Sequence, residues 1–384
     1  RCVLSDFTVA TANTVFTQIC TPDTPGELIT LSVGVVGTDP AGNSNTAATD
    51  FTWTYDTTAP TATITSTEVN TGGSLNQAAT FTVTFSEEMT GIANGDFTVT
   101  DTRCVLSDFT VATANTVFTQ ICTPDTNGEL TTLSVGASKG TDPAGNANSA
   151  ATDFTFTYDT TVPTVSSIAV TGVTSGQYGN DATYTVIVTA SEALENEPDL
   201  TLAGGTVGDG AGSGGGSATI WTYTFTPTSA DQSVTINVGA GDITDAAGND
   251  NTATPTQFAF THDATAPTVS SIAVTGVTSG SYGTASTYTV IVTASEALEN
   301  EPDLTLAGGT VGDGAGSGGG SATIWTYTFT PSSNNQAVTI DVAAGDITDA
   351  AGNDNTAAAT QFAFTHDKTA PTATITSAHV NTGG

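Results

Sequence analysis

The chain has 384 residues, of which 38 are acidic and only four are Lys or Arg, so its formal net charge is −34 at pH 7. Nucleic acids and anionic membranes bind clustered basic residues, so a surface of this charge excludes both as partners. No apolar run is long enough to insert into a membrane, and the length accommodates roughly two to four domains.

Two identical segments, residues 2–20 and 104–122, place a Cys at each end of an alternating apolar pattern. The alternation runs inwards from both Cys towards a central Ala-Asn, which is typical of a β-hairpin with the two Cys opposite each other at its open end. The sequence has no CxxC motif and no His near these Cys, so a zinc site is disfavoured. We therefore predict the disulfides Cys2–Cys20 and Cys104–Cys122, which indicate an oxidising, extracellular setting.

A junction phrase of the form aromatic-Asp-x-Thr-x-Pro-Thr begins at Tyr55, Tyr158, His262 and His366, where His replaces Tyr in the last two copies. A repeat of roughly a hundred residues predicts an array of like modules. We divide the chain into 1–57, the C-terminal part of a module; 58–160, a module with the disulfide hairpin; 161–264 and 265–367, two copies of a second type; and 368–384, the first strand of a further module. Because both ends fall inside a repeat, we expect the sequence to be part of a longer polypeptide.

Period-two alternation of β-branched and aromatic residues in the second module type predicts strands near residues 165–171, 183–190, 199–203, 218–226, 233–238 and 257–262. Short strands with turns between them predict an all-β fold of tandem β-sandwiches in an extended array. The Gly-rich tract at 204–216, repeated at 308–320, is predicted to be a flexible hairpin loop. Trp221 and Trp325 are predicted to be core or half-buried strand residues, with sugar stacking as the alternative.

Three kinds of acidic site recur at equivalent places: the Asp of the junction phrase, a Ser-Glu pair after an early strand, and a loop of the form Asp-x-Ala-Gly-Asn. Calcium prefers carboxylate, amide and backbone oxygens. We predict calcium at each junction, held by the junction Asp, the Glu of the following module and one such loop. Plain turn chemistry remains the alternative for the loop, because Asp and Asn stabilise turns. The candidate metal ligands are Asp56, Glu87, Asp142, Asn146, Asp159, Glu192, Asp245, Asn249, Asp263, Glu296, Asp349, Asn353 and Asp367.

No nucleophile–base arrangement is visible in the sequence. The only His residues are His262, His366 and His379, and the first two occupy the aromatic position of the junction phrase, where packing is the simplest role. Without a recurrent base, the abundant Ser and Thr have no partner that would activate them. We therefore expect no enzymatic activity.

The phrases FSEEMTGI (85–92), GDFTV (95–99), DPAGN (142–146) and YDTTVP (158–163) occur in one order along the module. In these phrases the chain resembles the bacterial immunoglobulin-like repeats of giant surface adhesins and biofilm-associated proteins. The resemblance implies immunoglobulin-like β-sandwiches in tandem, export to the cell surface and, in many members, linkers rigidified by calcium. The hairpin Cys pairs and the two His residues depart from the usual pattern.

Our first hypothesis is therefore a structural spacer or stalk of a bacterial surface adhesin or extracellular fibre, stiffened by calcium at its junctions. One alternative is a subunit of a self-assembling filament completed by strand exchange between chains. A second alternative is a carbohydrate-binding module. The expected partners are further modules of the same polypeptide or neighbouring copies of the chain, and the expected location is extracellular, at the cell surface or in a secreted fibre.

Overall fold

The computed structural model describes residues 1–11, 13–100, 103–212, 218–252, 257–316 and 322–378. The described chain is all-β apart from one 3₁₀ turn, Asn94–Asp96, and it contains no helix that could span a membrane. It divides into two units, which are treated separately below. The first unit is Arg1–Pro163 with Thr244–Asp250, and the second is Thr164–Ile243 with Asn251–Gly384.

Residues 1–57 of the first unit form two antiparallel strand pairs, β1 (Cys2–Thr11) with β2 (Val15–Pro22), and β3 (Leu28–Leu31) with β4 (Phe51–Thr54). Their alternating apolar side chains are largely exposed. Phe16 is 53% exposed, whereas Phe118, its counterpart in the identical segment, is 2% exposed and packs against Phe85. The same sequence thus forms the same hairpin in both places, but only the second hairpin is covered by partner strands.

Residues 58–160 fold into two packed four-stranded sheets. The first sheet has the order β5 (Ala62–Ser66), β7 (Ala79–Phe85), β10 (Val117–Pro124), β9 (Cys104–Thr113). The second has the order β6 (Gly73–Leu75), β12 (Phe154–Tyr158), β11 (Glu129–Val135), β8 (Phe97–Val99). Alternate residues of both sheets form two adjoining core clusters, in one of which Phe81 stacks on Phe156 at 5.5 Å between ring centroids. This is the ABED and CFG arrangement of an immunoglobulin sandwich, with β6 added parallel to the last strand.

The two second-type modules, both largely in the second unit, share one topology. The strands of the first are β13 (Val165–Val170), β14 (Tyr178–Gly179), β15 (Tyr184–Leu194), β16 (Thr201–Ala203), β17 (Gly205–Val207), β18 (Ala211–Gly212), β19 (Ala218–Pro227), β20 (Asp231–Asn237) and β21 (Phe258–Asp263). Those of the second are β22 (Val269–Val274), β23 (Tyr282–Gly283), β24 (Tyr288–Leu298), β25 (Thr305–Ala307), β26 (Gly309–Val311), β27 (Ala315–Gly316), β28 (Ala322–Pro331), β29 (Gln336–Asp341) and β30 (Phe362–His366). The two sheets of the first module have the orders β13-β15-β19-β17 and β14-β21-β20-β16, and β18 pairs with β19. Those of the second have the orders β22-β24-β28-β26 and β23-β30-β29-β25, and β27 pairs with β28. The predicted all-β tandem fold is confirmed.

The aromatic residues of the second module type form its core. Tyr184 meets Phe260 edge-on at 5.0 Å between ring centroids, and Trp221 is only 9% exposed. His262 is buried as well, and its Nδ1 lies 2.9 Å from the Tyr184 hydroxyl. The His of the junction phrase therefore packs in the core as predicted, and Trp221 offers no free ring face to a sugar.

The Gly-rich tract differs from the predicted flexible loop in its described part. Its residues 205–207 and 211–212 are strands β17 and β18, which pair with β19; residues 213–217 and 317–321, at the end of each copy, lie outside the described residues. A Cβ atom on Gly205 would lie 2.1 Å from Cζ of Phe225, and one on Gly210 would lie 2.6 Å from the Tyr223 ring. The glycines are required because the backbone passes directly over aromatic side chains.

Both predicted disulfides, Cys2–Cys20 and Cys104–Cys122, are present in the structure. The two Cys of each hairpin are diagonal rather than directly opposite, since Leu106 pairs with Cys122. The register shifts at a bulge that includes Asp108, whose φ is +52°. The Cα atoms of Cys104 and Cys122 are nevertheless 5.6 Å apart, within the span of a disulfide, and both residues are buried in the core.

Residues 368–378 form no strand, although the segment from Ala370 onwards repeats Ala59–Gly73 almost completely. Strand β5 in that repeat exists by pairing with β7. Its counterpart is not a strand in the described residues up to 378, and residues 379–384 of that prediction lie outside the described residues. The further module stays a prediction.

Candidate metal centre at the module junctions

The loop Asp-Pro-Ala-Gly-Asn at residues 142–146 is a tight turn built on its own carboxylate. Oδ1 of Asp142 accepts hydrogen bonds from the backbone N–H groups of Ala144 (2.9 Å) and Asn146 (2.8 Å). Gly145 supplies the positive φ, +95°, that the reversal requires. Nδ2 of Asn146 donates to Oδ2 of Asp142 (2.8 Å) and to the carbonyl of Asp56 (3.1 Å). The turn therefore fixes a buried carboxylate beside the junction phrase.

The structure brings Asp56, Glu87 and Asp142 together, and one oxygen of each lies within 4.8 Å of the others. Burial raises the pKa of Glu87, and the charges of Asp56 and Asp142 raise it further. Burial acts in the same direction on Asp142, but hydrogen bonds from Asn146 and from the turn backbone hold its pKa below the usual value. Of these two carboxylates, Glu87 is therefore the one whose charged form is disfavoured by the close packing of three acidic groups.

The second unit contains an equivalent group, Asp263, Glu296 and Asp349, with oxygens again within 4.8 Å of one another. A fourth carboxylate, Asp231, lies opposite Asp263 in the pairing of β20 with β21. Burial, then hydrogen bonding to Asp231 and the charge of Asp349, raise the pKa of Asp263. Burial and the charges of Asp263, Asp349 and Asp231 likewise raise the pKa of Glu296.

Sequence reasoning missed Asp231, because no acidic residue recurs at this position in the other modules. In the other two complete modules, the residue opposite the junction Asp is Gly128, just before β11, and Asn335, just before β29. Only the pairing of β20 with β21 shows that Asp231 lies at the junction.

The remaining predicted ligands are placed as follows. Asp159, Asp245 and Asn249 lie in the first unit, where Nδ2 of Asn249 donates to the Asp159 carbonyl (2.9 Å) and to Asp245 Oδ2 (2.9 Å). Glu192 lies in the second unit, on β15. In the described part of the chain, Asp367 joins no group of three carboxylates; its Oδ1 accepts from the backbone N–H of Thr369 (2.7 Å).

Three of the basic groups contact other carboxylates. The α-ammonium of Arg1 pairs with Asp23 and Glu27, Arg103 with Glu129 (2.8 Å), and Lys139 approaches Asp96 at 4.0 Å. Among the described residues, neither carboxylate triad of the first or second unit has a Lys or Arg partner. Within the described part of the chain, each of these two triads is therefore a concentration of negative charge without a basic partner.

Tandem sandwiches with ABED and CFG sheets, joined at acidic junctions, define an array of immunoglobulin-like domains. The bacterial Ig-like domain family matches the chain at residues 56–158, 159–261 and 263–366, and the chain belongs to this family. The resemblance noted in the sequence is thereby confirmed.

Three solved structures are similar to the chain at low sequence identity. The chain is similar to InvD of Yersinia pseudotuberculosis (14% identity, TM-score 0.37), covering 80% of this chain and 97% of that chain. It is also similar to the Yersinia pseudotuberculosis adhesin InvE (13% identity, TM-score 0.22), covering 58% and 67%. A third similar structure is the I9-I11 tandem from titin (8% identity, TM-score 0.24), covering 79% and 98%. No curated protein sequence is a significant match.

Proposed function

We propose that the chain is a non-catalytic spacer of a bacterial surface adhesin or extracellular fibre, and that calcium bound at the junctions limits bending between modules. The observation that carries the proposal is the meeting of three carboxylates at a junction, one from the end of a module and two from the module that follows. An ion held by such a set ties one module to the next.

The chemistry of the triads fits calcium. All donors are oxygen atoms, and calcium takes six to eight oxygen ligands from carboxylates, carbonyls and water. Asp56, Glu87 and Asp142 would hold it at the first junction. Asp263, Glu296 and Asp349, with Asp231 nearby, would hold it at the junction that begins at His262. A divalent cation would also neutralise charge that raises the pKa values of Glu87 and Glu296.

Two further features support an extracellular role. The two disulfides suit an oxidising compartment, because cytosolic thiols are kept reduced. The strongly acidic composition would make neighbouring copies repel one another. The proposed partners are further modules of the same polypeptide, joined through the same junctions.

Calorimetry of the full chain tests the calcium component. We expect the melting temperature to rise when excess calcium replaces EDTA, since a ligand at a hundred times its Kd stabilises the folded state by about 2.7 kcal/mol per site. Magnesium should give a smaller rise, because it demands a stricter octahedral geometry. An unchanged melting temperature, together with an unchanged radius of gyration in solution scattering, would refute calcium stiffening.

A second candidate, a filament completed by strand exchange, is favoured by the uncovered face of residues 1–57. Phe7 and Phe16 stack on each other in the open at 5.7 Å, and Ile375, in the segment that repeats β5, is 94% exposed. Segment 373–377 of one copy would add as a strand to the outer edge of β2 in another. Electron microscopy of the concentrated chain decides: ordered fibres support exchange, and isolated strings support the spacer.

A further inference from the structure

In the first module of the second unit, a short strand places an asparagine beside the Asp of the junction that follows. Strand β14 runs parallel to β21 and sets Gly179 opposite His262. The next residue, Asn180, therefore lies next to the junction that starts at Asp263. The sequence around Asn180 has no pattern that predicts a position near Asp263. Only the parallel pairing of β14 with β21 shows that the two residues are close.

Asn180 forms a direct side-chain contact with the following module. Its Nδ2 donates to Oδ1 of Asn353 (3.1 Å), in the Asp-Ala-Ala-Gly-Asn loop. Nδ2 of Asn353 in turn donates to the carbonyl of Asp263 (2.9 Å) and to Oδ2 of Asp349 (2.9 Å). The Asn353 amide thus has bonds to its own loop, to the linker backbone and to the preceding module, and none of them involves a metal.

The same contacts recur in the first unit, in a module of the other type. Nδ2 of Asn76, the residue after β6, donates to Oδ1 of Asn249 (3.1 Å), and Nδ2 of Asn249 donates to the Asp159 carbonyl (2.9 Å). Strand β6 pairs in parallel with β12, as β14 does with β21. Because modules of both types form this amide pair, we regard it as a general feature of the junctions and not of one module's surface.

The third complete module departs from this arrangement. Strand β23 sets Gly283 opposite His366, so the residue equivalent to Asn180 is Thr284. A threonine side chain has no NH₂ group to donate to a loop asparagine. The sequence itself therefore supplies a version of the module in which the amide donor is missing.

We propose that the Asn180–Asn353 amide pair is a metal-independent lock between consecutive modules, and that the residue at the position of Asn180 decides whether a module locks the one that follows. Asn76 and Asn180 mark locking modules, and Thr284 marks a module whose next junction depends on other contacts. The inference rests on the proposed spacer function but not on its calcium component.

The test measures bending in the full chain with both native disulfides intact. Nitroxide labels are attached to cysteines introduced by Asn196→Cys and Asn300→Cys, at exposed loop positions that are equivalent in the two modules. Pulsed electron resonance then gives the distribution of label distances in EDTA. The variant is Asn180→Thr, which copies the residue of the neighbouring module and so preserves the fold, and the control is Asn70→Thr at an exposed site elsewhere.

The wild-type chain and the Asn70→Thr control should give one narrow distribution in EDTA. Asn180→Thr should increase the population outside that distribution about five-fold, the change expected from losing one hydrogen bond of ordinary net strength. Asn353→Ala, which also removes the bond to the Asp263 carbonyl, should increase it further. Equal distributions for wild type and Asn180→Thr in EDTA would overturn the lock. Calcium is added only afterwards, so a failure of calcium to narrow either distribution bears on the calcium proposal alone.

Discussion

At the scale of residues, the Asp-Ala-Ala-Gly-Asn loop that begins at Asp349 is compatible with both interpretations of its sequence. Oδ1 of Asp349 accepts two backbone N–H groups of the turn, as turn chemistry predicts. The same carboxylate also lies within 4.8 Å of Asp263 and Glu296, as a metal site requires. Sequence alone could not choose between the two, because one buried Asp serves both. The second and third carboxylates beside this Asp are the reason for proposing a ligand role, since a turn needs neither of them.

Glu296 provides a direct test of that charge. We expect Glu296→Gln to raise the melting temperature in EDTA, because it removes repulsion that raises the pKa of this side chain. In calcium the same variant should melt below wild type, because one ligand is lost. The matched control is Glu299→Gln, an exposed residue just beyond β24, which should change neither value. A variant less stable than wild type in both buffers would contradict the repulsion.

The raised pKa values also fix the direction of a pH effect. A carboxyl whose pKa is higher in the folded protein contributes stability below its unfolded pKa, and this contribution is lost as pH rises through the folded pKa. For Glu87 and Glu296 the ion-free junction should therefore gain stability as pH falls through that window. Protons compete with calcium there, so the melting-temperature difference between calcium and EDTA should shrink. Calorimetry across that pH range measures it, and a difference that grows on acidification would contradict the assignment.

At the scale of elements, the long strands and the short strand β16 could be predicted, and the two-residue strands could not. Alternation of Val, Ile, Thr and aromatic residues marked β15, β19 and β21 to within a few residues. The two-residue strands β14 and β18 have too few side chains to show a period, and glycine leaves no apolar signal. These missed elements are important: β14 positions Asn180, and the Gly-rich strands cover the aromatic core.

The Gly-rich strands lead to a prediction at this scale. Gly205→Ala should destabilise its module by about 1–3 kcal/mol, the usual cost of overpacking, because the new methyl group would overlap Phe225 and the Thr226 carbonyl. Gly208→Ala, three residues away in open space, should stay within about 0.5 kcal/mol of wild type. Hydrogen exchange of β19 during denaturation reports on this module separately. Equal effects of the two variants would restore the flexible-loop interpretation.

At the scale of the whole molecule, the modules are alike in fold but differ in how they would extend under load. Only residues 58–160, among the three complete modules, carry a disulfide, and it closes an internal hairpin rather than linking the two sheets. The hairpin strand β10 lies between β7 and β9, so the crosslinked segment forms part of the core sheet. Pulling on the ends of this module can separate the strands around the hairpin but cannot extend the hairpin itself.

Force spectroscopy on the full chain makes this difference measurable. Cys104 and Cys122 are 18 residues apart in sequence, so the disulfide should shorten the extension of this module by about 60 Å, at the 3.3–3.6 Å that each extended residue contributes. The modules at 161–264 and 265–367 contain no cysteine and serve as internal controls. A thiol reductant should have no effect on the folded module, where Cys122 is fully buried, but should release the missing length once the module has unfolded. Three equal unfolding steps under oxidising conditions would show that the hairpin is not crosslinked in the native chain.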